Sequence, residues 1–441
     1  MNYNLIDEKN HAYLVENKLC EFDDIKDHTR AKIDYVSNYV IEWLRVASND
    51  KNSKRICFVD AMSNCGIYKK LDFCTCLRIL DIFYLESIKY PGKDYFIYLN
   101  DIDSDKINVL KEIISYYKNK LIKRTNLHID IRNKDAAVFL DLISGCMKFG
   151  YNPSERNYIL LYVDPYNFPN KDIIVATKKF VSTIYCELLF NFFTSDIERN
   201  LFNESQKNKS DEIIDSLQLF TDIEYLSNIY YHDRIDIIME HFFKYISDNT
   251  NIKHYFSYGF DITTHKEIYQ ILYFTPNIKG LEQLKKALWI SFDGHPEYWS
   301  KNESKYEKIS LTGNSEKDQR AEDYGAQAQE LIIKLYSGII SYGTIKELVI
   351  HKTMLMEGQI IKNVIKPLIE KRKLLKLNIY GKSNYKKDEY KLLWWIHLKE
   401  NHWYTKQVLN MVIILSTIFL VAVMDAIFLA THTWWKKDLE K

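Results

Sequence analysis

The sequence predicts an α/β protein in which a parallel sheet covered by helices is followed by a small helix-and-hairpin domain and an apolar tail. Three observations predict it. Short apolar runs alternate with amphipathic stretches through the first half, the pattern of strands joined by crossover helices. A lysine-rich segment near residue 370 carries two helical and two strand-like patterns. Beyond it, Met411–Ala430 is broken only by Ser416, Thr417 and Asp425. The 441 residues allow roughly two to four domains.

Strands are expected near Ile56–Val59, Tyr95–Leu99, Leu127–Ile131, Tyr158–Val163 and Ile184–Phe192. Helices fall between them, near Asp72–Lys89, Ser104–Leu121, Asp135–Lys148 and Lys171–Phe180. Residues 1–50 read as an N-terminal helical segment, and residues 51–300 as the sheet domain with a helical stretch over Asp211–Ser247. Two further strand-like runs, His254–Phe260 and Ile268–Thr275, precede a helix from Leu281 to Trp289. Residues 301–327 are polar and aperiodic, as a linker is. Over residues 328–398, Ala328–Tyr336 reads as a connecting helix, Thr344 is placed to cap a helix, Glu357–Lys371 repeats Ile360, Val364 and Leu368 at i, i+4 and i+8, and Leu374–Tyr380 with Glu389–Leu393 read as a hairpin. Helix, turn, helix and hairpin make a winged helix-turn-helix pattern.

Composition removes several classes. Thirteen glycines and seven prolines fall well below the average share of about 12%, which excludes collagen-like and linker-rich chains. The net charge of +1 conceals an asymmetry: Tyr342–Lys391 holds 12 Lys+Arg against five acids, a surplus of seven that leaves the remainder at −6. Lys362, Lys366, Arg372, Lys382, Lys386 and Lys387 are the candidate phosphate contacts for a nucleic acid, against the alternative of a solvated lysine face. Seven cysteines, an odd number without a zinc-type CxxC pair, fit a reducing cytoplasm, and Cys74 with Cys76 reads as a buried pair of small hydrophobes. No metal site is expected.

The tail at 403–435 reads as a membrane-spanning helix. The 20-residue run Met411–Ala430 covers a hydrocarbon core of about 30 Å, and Trp403-Tyr404 and Trp434-Trp435 stand where interfacial aromatics belong. The lysine excess upstream places the large domain in the cytoplasm, tethered to the inner membrane. Asp425 costs about 2.5–3.5 kcal/mol at mid-membrane and favours helix association, hence a homo-oligomer.

Polar residues cluster at the expected strand ends, where open α/β sheets bind ligands. Asp60-Ala-Met-Ser63-Asn64-Cys65-Gly66 forms the first strand–turn, with small or αL-tolerant residues that let a ligand approach the backbone. It is not GxGxxG, so a dinucleotide is disfavoured. Asp101 can accept two hydrogen bonds from ribose hydroxyls, or the run Asn100-Asp101-Ile102-Asp103 supplies an Asn/Asp helix cap ahead of Ser104. Asp135 can accept from an adenine amine or start the following helix. Asp164-Pro165-Tyr166 can hold an exocyclic amine, with the carboxylate and a backbone carbonyl accepting its protons while the ring stacks on the base. A structural Asp-Pro turn is the alternative.

The order Asp60…Gly66, Asp101, Asp135, Asp164-Pro165-Tyr166 resembles that of class I S-adenosylmethionine-dependent methyltransferases, and more narrowly the chain resembles the three-Cys-motif partner protein family. His28-Thr29-Arg30-Ala31-Lys32, followed by Tyr39 and Trp43, matches the family's opening His-Thr-x-x-Lys. Asp60–Gly66 matches its D-x-F-A-G-P-G loop and Asp164–Asn167 its D-P-Y/F-G, while Asn191-Phe192 and Asp196…Arg199 match its N-F…D-x-x-R. Tyr273-Phe-Thr275 and Lys285-Lys-Ala-Leu-Trp289 fit as well, so the resemblance covers about residues 20–395. Met62, Asn64, Cys65 and Asn167 depart from the family's Phe, Gly, Pro and Gly.

The resemblance implies a Rossmann-like sheet and S-adenosylmethionine held by Asp60, Ser63, Asn64, Gly66, Asp101 and Asp135. Asp164, Pro165 and Tyr166 would then present an acceptor amine of a nucleic acid or nucleotide-like substrate, with a three-Cys-motif protein as partner. The departures leave a second expectation open, a catalytically inactive module that binds DNA or a partner. A third is a membrane-tethered sensor or effector in bacterial defence against phage.

Overall fold

The structure, a computed structural model, describes residues 13–17, 24–69, 72–117, 121, 123–149, 156–261, 267–299, 315–377 and 389–392. The expected tail at 403–435, the wing lysines Lys382, Lys386 and Lys387, and most of residues 301–327 lie outside the described residues. Among the described residues no helix is long and apolar enough to cross a membrane. The chain divides into two compact units, residues 1–326 with 347–360, and residues 327–346 with 361–441.

The first unit holds strands β1 (Ser53–Asp60), β2 (Asp94–Asp101), β3 (Leu127–Asn133), β4 (Arg156–Val163), β5 (Glu187–Phe192), β6 (His254–Asp261), β7 (Glu267–Thr275) and β8 (Tyr298–Trp299). They make one sheet in the order 3-2-1-4-5-7-6-8. The first five strands run parallel, while β7 runs antiparallel to both β5 and β6. This is the doubly wound, Rossmann-like arrangement, in which the chain steps outward through β2 and β3 and then returns to β4 on the other side of β1. Asp60 therefore lies between Leu99 and Tyr162 in register, at the point where the winding reverses.

Helices cover both faces, which is why Ile56–Val59 of β1 and Tyr158–Val163 of β4 are continuous apolar runs. Cys57, Val59, Leu161, Val163 and Phe190 share a core with Phe139 of α4 (Ala136–Phe149), Phe180 of α5 (Lys171–Thr183) and Phe242 of α9 (Tyr231–Ser247). The alternate residue Phe58 packs on Tyr162 and on Phe83 of α2 (Thr75–Lys89). The N-terminal helical segment resolves into α1 (Asp27–Asn49), which buries Ile33, Val36, Tyr39, Val40, Trp43 and Leu44 along one stripe. Helix α3 (Ser104–Tyr116) joins β2 to β3.

The helical stretch expected over Asp211–Ser247 is three helices after a short α6 (Thr194–Asn200): α7 (Lys207–Leu217), α8 (Ile223–Ser227) and α9 (Tyr231–Ser247). The Asp222 carboxylate accepts from the N–H groups of Glu224 and Tyr225, which starts α8 afresh. Helix α10 (Ile278–Phe292) packs on α1, where Lys286 meets the buried Glu42 at 2.7 Å. At its start a buried network joins three layers: Tyr273 donates to Glu187 at 2.9 Å, Thr275 donates to it at 3.2 Å, and Tyr39 bonds both Tyr273 and Glu187. Only glycine fits at position 280, because a Cβ there would stand 2.3 Å from the Tyr273 hydroxyl.

Helix α11 (Glu316–Leu335) begins inside the stretch read as a linker. Its buried face includes the small residues Ala321 and Ala328, so the apolar signal in sequence was weak. The chain continues through β9 (Ile339–Ser341), α12 (Tyr342–Lys352), α13 (Glu357–Ile360), a π-helical turn at Ile361–Ile365 and α14 (Lys366–Glu370). Strands β10 (Leu374–Leu377) and β11 (Glu389–Leu392) complete an antiparallel sheet in the order β10-β11-β9. Ser341, rather than Thr344, caps α12, since its hydroxyl accepts from the Thr344 N–H at 3.1 Å. Pro367 has no N–H for the Asn363 carbonyl, and the Gln329 amide supplies that bond at 2.8 Å.

Candidate functional site

A cavity of about 900 Å³ opens beyond the carboxyl ends of β1, β2 and β4. Asp60, Ser63, Asn64, Asp101, Asp135, Asp164, Pro165 and Tyr166 all line it, although they come from four separate strand–turns. Gly66 does not. It turns the backbone at φ +90° under the loop, where a Cβ would stand 2.8 Å from Leu110 and 3.0 Å from Leu77. A larger cavity of about 1050 Å³ sits at the opposite end of β4 and β5, and its Asp50 is already bonded to Arg156 and Tyr158 at 2.9 Å each. The carboxyl-end cavity is the one at the reversal of the winding, where this sheet class binds ligands.

The turn after β1 is built by its neighbours. Asn100, fully buried at the end of β2, donates to the Ala61 carbonyl at 3.0 Å and the Lys134 carbonyl at 2.9 Å, and accepts from the Lys134 N–H. Its own carbonyl accepts from the Ser63 N–H at 2.6 Å. Asn64 adopts φ +60°, and its side chain accepts from the Cys65 N–H at 2.7 Å. Asn tolerates this left-handed conformation, so the missing glycine leaves the turn unbroken. Beneath the turn, Cys65, Cys74 and Cys76 are buried, and the Cys76 thiol donates to the Ser63 carbonyl at 3.2 Å.

The carboxylates take different duties. Asp101 accepts from the Asn64 N–H at 2.9 Å and the Asp103 N–H at 3.0 Å, which leaves lone pairs facing the cavity. Asp103 caps α3, as expected of the Asn/Asp run ahead of Ser104. Asp135 caps α4 through the N–H groups of Ala137 and Val138. Asp164 is the most heavily bonded: Lys32 donates to both oxygens at 2.8 and 2.7 Å, Asn191 at 2.6 Å and Tyr162 at 2.9 Å. Tyr166 beside it is 85% exposed.

Asp60 is 1% exposed and accepts one bond, from the Met62 N–H at 3.1 Å. Burial, and then the charges of Asp164 and Asp101, push its carboxyl well above the usual range, although Met62 and Lys32 pull the other way. An acid raised in the folded state contributes most to stability below its unfolded value of about 3.9, and that contribution fades as pH rises through the folded value. Asp60→Asn is therefore expected to gain on the native chain in urea midpoint as pH rises from 4.5 to 8. A margin that stays constant with pH would show that Asp60 is already ionised.

His28, Lys32, Asp196 and Arg199 line the cavity and were quoted in the sequence pattern without a role. Lys32, 8% exposed, also lies 5.3 Å from the centroid of the Tyr269 ring. His28 lines the same wall, and its ring is held down to about 4 by burial and then by Lys26 and Lys32, so it is neutral at pH 7. Asn100, Tyr162 and Asn191 were the other omissions. Of the basic residues proposed for phosphate contact, Lys362 falls in the π-helical turn, Lys366 opens α14, and Arg372 sits at φ +55° in the turn before β10.

No protein-family model and no curated protein matches the sequence. Among solved structures, a Listeria monocytogenes chain described as a "putative class I S-adenosylmethionine-dependent methyltransferase" aligns at 10% identity. The alignment covers 61% of this chain and 67% of that one with a TM-score of 0.26.

Proposed function

We propose that the first unit is a methyltransferase-like domain that binds S-adenosylmethionine in the carboxyl-end cavity, in the manner of the three-Cys-motif partner family. The observation that carries this reading is the convergence of four separate strand–turns on one cavity at the β1/β4 reversal. The antiparallel β7 beside β5 departs from the parallel strand order of the dinucleotide-binding sheet, in keeping with the absence of a GxGxxG turn. The donor set fits the cofactor: besides Asp60, the cavity is lined by six Asp side chains against four Lys and Arg, an environment suited to a cationic ligand. The Ser63 hydroxyl, buried without a protein partner, is a further group such a ligand could satisfy.

In this reading the turn residues Ser63 and Asn64 cradle the cofactor, Asp101 accepts from its ribose hydroxyls, and Asp135 lies by its adenine. Bound S-adenosylmethionine supplies an electrophilic methyl group. Asp164, the Pro165 carbonyl and the exposed ring of Tyr166 orient the acceptor, an amine on a nucleic acid or nucleotide-like molecule. Positioning and electrostatic stabilisation dominate such a transfer, so little general-base strength is required.

The elements of residues 327–392 support a winged-helix reading, with Lys362, Lys366 and Arg372, and the wing lysines, toward nucleic acid. The apolar run 411–430 is proposed as the membrane tether of a cytoplasmic protein, and its Asp425 as the reason for self-association.

One observation favours a second reading. Asp164 already accepts four hydrogen bonds, from Lys32, Tyr162 and Asn191, so an incoming amine competes with Lys32 for its oxygens. That arrangement also suits a domain that binds ligand or partner without turnover. The test is Asp164→Asn with radiolabelled S-adenosylmethionine and mixed nucleic acid. The methyltransferase reading expects transfer by the native chain and none by the variant, with cofactor binding kept in both. Cofactor binding without transfer in the native chain would establish the non-catalytic module.

A further inference from the structure

A second cluster of ligand-forming side chains lies in the same unit, outside the cavity described above. His254 opens β6, pairing Thr275 across to β7. Glu347 and His351 are four residues apart on α12, hence on one face of that helix. The His254 Nδ1 and His351 Nε2 atoms stand 2.9 Å apart, with ring centroids at 5.0 Å. Ligand atoms of His254, Glu347 and His351 all lie within 4.8 Å of one another. None of the three lines the 900 Å³ cavity.

We propose that His254, Glu347 and His351 form a site for a single zinc-class divalent cation. Two imidazole nitrogens facing each other can share only one proton, so at least one lone pair already points into the gap. Two nitrogens at about 2.0 Å from a tetrahedral zinc stand about 3.3 Å apart, so a few tenths of an ångström of opening seats the ion. The Glu347 carboxylate, on the exposed side of the cluster, supplies a third ligand and a negative charge. Two imidazoles and one carboxylate suit zinc and its first-row neighbours and disfavour magnesium, which demands an octahedral shell of oxygens. Three protein ligands leave the fourth tetrahedral position to water. The cation would join the first residue of β6 to α12, two segments about a hundred residues apart in sequence.

The sequence alone offered no such signal, because His254 is remote from the helical pair and no cysteine takes part. Its test is independent of any methyl transfer. Zinc chloride is titrated into chelator-stripped full-length protein by calorimetry, beside His351→Ala and Glu347→Gln, with circular dichroism confirming that each variant is folded. One zinc equivalent of micromolar or tighter affinity is expected in the native chain, and each variant should weaken that equivalent by at least about tenfold. Glu347 is exposed, so its conservative replacement keeps the test informative if the histidine variant folds poorly. Absence of that equivalent, its persistence in Glu347→Gln, or its displacement by millimolar magnesium would overturn the proposal.

Discussion

Replacing Lys32 with Met is expected to lower the unfolding free energy by about 3–5 kcal/mol, the range for removing one partner of a buried ion pair. Lys32 and Asp164 retain only 10% and 18% side-chain exposure, and both carboxylate oxygens accept from the amine. Without Lys32, Asp164 keeps Tyr162 and Asn191 as donors but has no opposite charge beside it. The double variant Lys32→Met/Asp164→Leu should recover much of the loss, because an apolar pair carries no desolvated charge. Urea denaturation of the native chain, both single variants and the double variant measures the coupling directly. Additive effects would mean that the pair contributes no more than two separate surface groups.

Replacing Asp101 with Ala should weaken S-adenosylmethionine binding by about 100-fold or more. A hydrogen bond to a charged group contributes about 1.5–3 kcal/mol, and the ribose offers two hydroxyls. The variant also loses the bond that holds the Asn64 N–H, so the left-handed turn loses an anchor together with the ligand. Calorimetry with S-adenosylmethionine and its demethylated product reads both effects. Unchanged affinity in Asp101→Ala, or no binding by the native chain at millimolar ligand, removes the cofactor from the cavity.

The sheet was legible because its strands are apolar runs ending in polar residues, and a run such as Tyr158–Val163 leaves few alternatives. The site was legible for the same reason, since each strand end carries its own carboxylate. Long-range partners were not. Lys32 reaches Asp164 from 132 residues away, and no local pattern marks that distance. Only the first half of helix α11 was hidden, where Ala321 forms part of the buried face, whereas Ala328–Tyr336 reads as a connecting helix in sequence. The π-helical turn at Ile361–Ile365 kept the expected apolar spacing around it and left no compositional trace.

Asn100 ties the segment after β1 to the segment after β3 through one buried amide. Those two walls of the cavity cannot open separately, since displacing either breaks bonds to the same side chain. They should exchange their amide hydrogens with deuterium as one cooperative block, and a ligand that protects one should protect the other to the same degree. Access then falls to the wall formed by the start of α1 and by Tyr166, whose ring stands largely in solvent.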